Sequence, residues 1–141
     1  MKKVPSTEGS LPAMPLHQLV NKVMIGLLPL AISHKSFVIN DVNPDVNVLV
    51  DENMLALVVG AMLNQTLSAT ENECIRVEAS CGKDATSISV KTISQFLYGN
   101  SVSGLREMEL AAEKIGASIS ISPSTSGMVV TCSFKKALKA A

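Results

Sequence analysis

A helical repeat followed by two alternating segments, within residues 51–90, constrains the fold of this chain more than any other feature. Asp51 stands where a helix N-cap is expected, and apolar side chains then recur at i, i+3 and i+4 spacing. Residues 74–79 and 86–90 instead alternate apolar and polar side chains, and residues 81–84 between them have turn chemistry. The pattern predicts an amphipathic helix packed on an antiparallel hairpin with one buried face.

Two further helices and four further strands are predicted on either side of this run. A helical period begins at Leu16, and Pro29 should end or kink that helix. Another helical period begins at Leu105, with Gly116 as its stop. The additional strands are predicted at residues 36–40, 46–50, 118–121 and 128–134. The order predicts an α/β (α+β) two-layer sandwich, with about three helices on one face of a mixed, mostly antiparallel sheet.

Composition sets the predicted domain boundaries. Hydrophobic residues make up 47% of the 141 residues and charged residues 17%, which is typical of a globular domain. Residues 1–14 are rich in proline, glycine and serine and are predicted to form a flexible leader. The domain is predicted to span residues 15–135, and the lysine-rich residues 136–141 are predicted to be a tail.

Charge and hydropathy exclude several classes of partner. Twelve basic residues balance twelve acidic ones, and aromatic residues make up only 3%, so the chain has no footprint for nucleic acid. The longest apolar run, residues 23–32, is about half a membrane-spanning helix, and no secretory signal is present. Cys74, Cys81 and Cys132 show no C-x-x-C spacing and are interpreted as small buried hydrophobes of a cytoplasmic protein.

The order and lengths of these elements resemble the histidine-kinase-like ATPase (GHKL, Bergerat) domain of bacterial sensor histidine kinases, a fold shared with Hsp90, gyrase B and MutL. The resemblance covers roughly residues 15–135. The segments most similar to a sensor kinase are residues 16–20, 51–70, 105–121 and 126–134. The resemblance implies this fold, a role in two-component signal transduction, and Mg-ATP as the cofactor of active relatives.

In active relatives, the helix before the hairpin carries an N box, whose asparagine helps to hold the magnesium ion that bridges the phosphates. Aligned without gaps, that asparagine falls on Gln65, and a second asparagine of the box falls on Ala61. Asn64 precedes Gln65 and points about 100° away around a helix. Gln65 is therefore the candidate magnesium ligand if ATP binds, and the alternative is a polar helix face that meets solvent.

The remaining nucleotide motifs differ from the family pattern. Where active relatives have an Asp-x-Gly-x-Gly box for adenine, this chain has Thr92 at the aspartate and Ser94 at the first glycine. Of the second glycine box only Gly104 remains, and a glycine before a helix is also a common turn or cap. The Gly-Thr pair that leads into the last strand is Gly127-Met128, without the hydroxyl.

These departures predict a degenerate domain, a pseudokinase without normal ATP binding, with no cofactor and no catalytic residue of its own. It would act by binding a protein partner in a signalling pathway or by self-association. The alternative is the ATP-binding catalytic domain of a two-component kinase that phosphorylates a histidine in trans. A third interpretation is a small-ligand pocket. If nucleotide binds, the candidate contacts are Asn64, Gln65, Thr92, Ser94 and Gly104.

Overall fold

The computed structural model describes residues 14–48, 50–82, 84–93, 102–124 and 127–135. In this part of the chain, helices cover one face of a five-stranded sheet, so the predicted two-layer sandwich is confirmed. The helices are α1 (Leu16–Gly26), α2 (Leu28–Ser33), α3 (Glu52–Ala69) and α4 (Val102–Glu113). The strands are β1 (Met14–Pro15), β2 (Phe37–Asn40), β3 (Asn47–Val48), β4 (Cys74–Cys81), β5 (Ala85–Lys91), β6 (Ala117–Ser124) and β7 (Gly127–Lys135). Apart from Met14, the predicted leader lies outside the described residues, as does the tail.

Helix α3 forms where the sequence predicts it and supplies the centre of the core. Asp51 caps it, because a side-chain oxygen accepts a hydrogen bond from the Met54 N–H at 3.0 Å. One face of the helix is completely buried, at the spacing that the sequence shows. The buried side chains of this face are Leu55, Val58, Val59, Met62, Leu63, Thr66 and Leu67.

The five-stranded sheet has the strand order β2-β4-β5-β7-β6. Strands β4, β5, β7 and β6 pair antiparallel, whereas β2 pairs with β4 in parallel, so the predicted mixed sheet is confirmed. The side chains of Ile75, Val77, Ile88 and Val90 are fully buried, and they alternate with more accessible neighbours along each strand. One face of the sheet therefore packs on the helices, and the other face stays open.

The N-terminal part differs from the sequence prediction in two ways. Pro29 does not end a single helix; α1 ends at Gly26, and a separate short helix, α2, carries Pro29 in its first turn, where proline is tolerated. The strand predicted at residues 46–50 is reduced to β3, which pairs with β1 in a two-stranded sheet. The structure thus has four described helices where about three were predicted.

Helix α4 begins earlier than predicted but ends as predicted. Its first residue is Val102, so Gly104 lies inside the helix and not before it. After the helix, Gly116 has a φ of +68° and donates a hydrogen bond from its N–H to the Glu113 carbonyl at 3.1 Å. This left-handed conformation is favourable for glycine, which explains the stop at that position.

The three cysteines lie in different environments. Cys132 is buried in the core, and burial raises the pKa of its thiol to about 11, as expected of a small apolar residue. Cys74 is half-buried, and Cys81 is exposed, so the prediction of a buried residue was wrong for Cys81. Among the described residues, no helix combines the length and the hydropathy needed to cross a membrane.

Replacing Asp51 by alanine tests the cap of α3. We expect Asp51→Ala to lower the free energy of unfolding by about 1 kcal/mol, because the Met54 N–H loses its acceptor. Thermal unfolding followed by circular dichroism would then show a fall in Tm of about 4 °C. Asp51→Asn is the matched control, because its side-chain oxygen can still cap the helix. An equal loss of stability in both variants would contradict the capping role.

Candidate functional site

The candidate magnesium ligand, Gln65, lies where α3 packs against α4. Its side-chain Nε2 donates a hydrogen bond to Glu107 Oε1 of α4 at 2.9 Å. Glu107 is one turn beyond Gly104, so the structure brings two of the predicted site residues to the same pair of helices. The amide of Gln65 is thus engaged with a carboxylate of the protein, and its contact links the two helices.

The charge of these two helices is predominantly negative. Together α3 and α4 contain four glutamates, Glu52, Glu107, Glu109 and Glu113, and a single basic residue, Arg106. Glu52 is at the first position of α3, far along the helix from Gln65, and its carboxylate pairs with Lys22 at 3.1 Å. The three other glutamates are on α4, which packs against the part of α3 that carries Gln65. An acidic α4 is a poor neighbour for a phosphate chain, because like charges repel.

The polar side chains beside Gln65 point in different directions. Asn64 is half-buried, and Thr66 is fully buried on the face of α3 that packs into the core. The Thr66 hydroxyl donates a hydrogen bond to the Met62 carbonyl one turn earlier, at 2.8 Å. Successive residues of a helix are about 100° apart, which agrees with these different environments. Asn64 does not replace Gln65 in the contact with Glu107.

Thr92, the residue at the adenine-aspartate position, lies just after β5 and is buried. Its backbone N–H donates to the Met128 carbonyl at 3.0 Å, and its hydroxyl lies 3.3 Å from the Met128 N–H, which donates to it. Both the backbone and the side chain of Thr92 therefore form hydrogen bonds with β7. The partner of this hydroxyl is thus the backbone of β7, whereas the resemblance implies adenine as its partner.

Gly127, at the start of β7, lies against the backbone of Thr92. A Cβ atom at position 127 would be 1.8 Å from the Thr92 carbonyl oxygen and 2.8 Å from that of Ile93. No side chain fits at that distance, so glycine is required at position 127 by the approach of the two strands. The glycine of the Gly127-Met128 pair thus has a steric role in the approach of β7 to Thr92.

Sequence reasoning missed Glu73, which precedes β4 and is 4% exposed. Its Oε2 accepts a hydrogen bond from the Ile93 N–H at 2.6 Å, and its backbone N–H donates to Ser36 Oγ at 3.1 Å. A buried carboxylate needs such donors to offset its loss of hydration. Glu73 fixes the chain just beyond Thr92, and only its position between a polar segment and a strand could have marked it.

The predicted site residues fall into two groups in the described part of the chain. Gln65 and Gly104 lie on α3 and α4, and Thr92 lies at the junction of β5 with β7. Ser94 is outside the described residues. Their assignment as nucleotide contacts stays a prediction. Among the described residues, no three His, Cys, Asp or Glu side chains come close enough together to hold a metal ion.

The fold matches solved structures of sensor histidine kinases. The histidine kinase AdeS of Acinetobacter baumannii superimposes with a TM-score of 0.77 at 11% identity, over 90% of this chain and 68% of AdeS. The catalytic domain of histidine kinase ThkA gives 0.73 at 16% identity, over 89% of this chain and 96% of that domain. The mycobacterial sensor histidine kinase MprB gives a TM-score of 0.68 at 10% identity, over 89% of this chain and 97% of the MprB structure. No protein-family model and no curated protein matches the sequence.

This chain has the histidine-kinase-like ATPase fold. The likeness extends over nine-tenths of the chain and over nearly the whole ThkA and MprB structures. At 10–16% identity, the likeness carries the architecture alone. What the histidine-kinase-like ATPase fold does in this chain depends on its own residues, and Gln65 and Thr92 are already hydrogen-bonded within the protein.

Replacing Gly127 by alanine tests the close approach of β7 to Thr92. We expect a loss of about 2 kcal/mol or more in the free energy of unfolding, because the added methyl group overlaps the Thr92 carbonyl. Chemical denaturation would measure it. Gly26→Ala is the matched control, since a Cβ there meets nothing within 4 Å. If both variants are as stable as the unmodified protein, the strands are not in the contact described.

Proposed function

We propose that this chain is a non-catalytic member of the histidine-kinase-like ATPase fold, a pseudokinase domain that acts through a protein partner in bacterial, cytoplasmic signal transduction. The observation that carries the proposal is the hydrogen bond from Gln65 to Glu107. It joins the residue at the magnesium-ligand position to an acidic group of the protein. The bond uses the amide nitrogen and holds the side chain against α4, whereas a chain that bound Mg-ATP in the family manner would need the amide oxygen directed at the ion.

Electrostatics supports the loss of ATP binding. Transfer of phosphate requires positioned positive charge around the phosphoryl oxygens, and α3 and α4 together provide only Arg106. Glu107 instead adds a carboxylate beside Gln65. A carboxylate at that position would repel the oxygens of a phosphate chain, and water screens this repulsion because Glu107 is exposed. Magnesium would have to offset this repulsion as well as the repulsion within the triphosphate.

The adenine side of the site supports the same conclusion. Thr92 is neutral where active relatives have an aspartate, and its hydroxyl accepts a hydrogen bond from the Met128 N–H. An adenine amino group would have to share this hydroxyl with the Met128 N–H. A site built to bond a polar group loses much of its affinity when that partner is missing.

A protein partner is proposed because the scaffold is retained while its nucleotide contacts differ. ThkA, whose fold this chain shares, has been solved in complex with the response regulator TrrA. This chain matches ThkA in that complex with a TM-score of 0.72 at 14% identity. The match covers 89% of this chain and 42% of the ThkA chain in that complex. By analogy, we propose a signalling protein of the response-regulator type as the partner.

The second candidate is an ATP-binding catalytic domain that phosphorylates a histidine in trans. It is favoured by the likeness to full-length ShkA, solved with AMPPNP, at a TM-score of 0.71 and 15% identity over 95% of this chain and 33% of ShkA. In that case Gln65 or Asn64 would hold magnesium and Thr92 would bond adenine. Gln65 would then present its amide oxygen to the ion, while its amide nitrogen donates to Glu107 in the structure.

Isothermal titration calorimetry with Mg-ATP decides between the two candidates. We expect no saturable heat from the unmodified chain at millimolar nucleotide, because the amide nitrogen of Gln65 is bonded to Glu107 and α3 and α4 carry one basic residue, Arg106. Full-length ShkA, which binds AMPPNP, serves as the positive control. Saturable binding that depends on magnesium and is lost in Gln65→Ala would overturn the proposal.

Two variants sharpen this titration. Gln18→Ala, at an exposed glutamine of α1, is the matched control for Gln65→Ala and should leave any binding unchanged. The double variant Gln65→Asn with Glu107→Gln restores the family's ligand and removes the opposing charge. A measurable gain of Mg-ATP binding in the double variant supports the assignment of this position as the altered magnesium site.

A further inference from the structure

The edge strand β2 has hydrogen-bonding groups that point away from the sheet. The N–H groups of Phe37 and Asp41 donate to the carbonyls of Glu73 and Val77 on the β4 side, at 2.9 and 2.8 Å. Because backbone direction alternates along a strand, the N–H and C=O groups of Val38 and Asn40 point to the opposite side. Within the described residues, no strand pairs with β2 on that side.

Large apolar side chains flank this edge on both faces of the sheet. Asn40 donates hydrogen bonds to the His17 carbonyl and to Asn21 Oδ1 of α1, so it faces the helices and so does Val38, two residues earlier. Phe37 and Ile39 therefore lie on the open face. We call the exposed set the β2-edge patch: Ile25, Leu28 and Ile32 on the helix side, with Phe37 and Ile39 on the open side.

The patch is both large and uncharged. Ile25, Ile32 and Phe37 are 66–71% exposed, and a groove of about 390 Å³ runs between α1, α2 and β2. Five side chains of this size and exposure present on the order of 600 Å² in total, divided between the two faces of the sheet. None of the residues that line the groove is charged.

We propose that the β2-edge patch is a homodimer interface, in which β2 of one copy pairs antiparallel with β2 of a second copy. Two identical strands related by a two-fold axis can only pair in this direction. The area supports a weak dimer, since the patch with its strand backbone comes to less than the roughly 800 Å² that a standard interface takes from each partner. Two uncharged patches also meet without repulsion.

The backbone pattern fixes the register of this pairing. Centring the axis on Ile39 places Val38 of each copy opposite Asn40 of the other, so that all four outward-pointing groups of each strand form hydrogen bonds. Ile39 then meets Ile39 of the second copy on the open face, at the close separation of a non-hydrogen-bonded pair. The helices of both copies lie on the same side of one continuous sheet.

Sedimentation equilibrium of the full chain tests the proposal. We expect a monomer–dimer equilibrium with a dissociation constant in the micromolar range, weakened at least tenfold by Leu28→Lys and by Ile39→Lys. Leu57→Lys is the matched control, because Leu57 on α3 is 55% exposed against 54% for Leu28 and is outside the patch. Circular dichroism checks that each variant is folded.

A chain that stays monomeric at hundreds of micromolar overturns the proposal. So does a dimer that Leu28→Lys and Ile39→Lys leave unchanged while Leu57→Lys weakens it.

Disulfide formation tests the register independently. In a background with Cys74→Ser and Cys81→Ser, Ile39→Cys should form a covalent dimer under mild oxidation, because the two residues face each other on the axis. Ser120→Cys, at an exposed position of the opposite edge strand β6, is the matched control. Cross-linking through Ser120→Cys in place of Ile39→Cys would overturn the proposed pairing. Both experiments are carried out without nucleotide, so their outcome is separate from that of the Mg-ATP titration.

Discussion

The burial of one face of α3 is the constraint on which the rest of the structure depends. Seven side chains of this helix are removed from solvent, and each large apolar one contributes about 2 kcal/mol. The same helix holds the sheet on one side and contacts both α1 and α4 on its flanks. Because its buried face fixes its rotation, it also determines that Gln65 is directed to α4 and Thr66 to the core. The rotation of α3 therefore fixes both the side chains that enter the core and the direction of Gln65.

The sequence predicts those parts of the fold that depend on local patterns. Asp51 and the apolar repeat after it define α3, and Gly116 marks the end of α4 through its left-handed backbone. Prediction fails where partners are distant or few. The two-residue strand β3 exists only because it pairs with β1, and Pro29 begins a new helix because its ring fits a first turn. Neither outcome is contained in hydrophobic periodicity.

The candidate site is less predictable than the fold, because its contacts join residues far apart in the chain. The gap-free alignment predicted Gln65 and Thr92 as site residues, but the groups that form hydrogen bonds with their side chains come from other elements. Glu107 is 42 positions from Gln65, and Met128 is 36 positions from Thr92. A sequence can predict which residues stand at such positions; it does not show which group of the protein bonds their side chains. Glu73 gave no periodic signal at all.

The open face of the sheet has a consequence for how far such a sequence can diverge. Only alternate positions of β4, β5 and β7 pack on the helices, and the others include small hydroxyl residues such as Ser87, Ser89 and Ser133. A strand covered on one side leaves about half of its positions on the open face, where most substitutions change the stability by little. Substitutions can therefore accumulate on the open face of the sheet without disturbing the packing of the other face. Such tolerance agrees with an architecture that recurs in sensor kinases at only 10–16% identity.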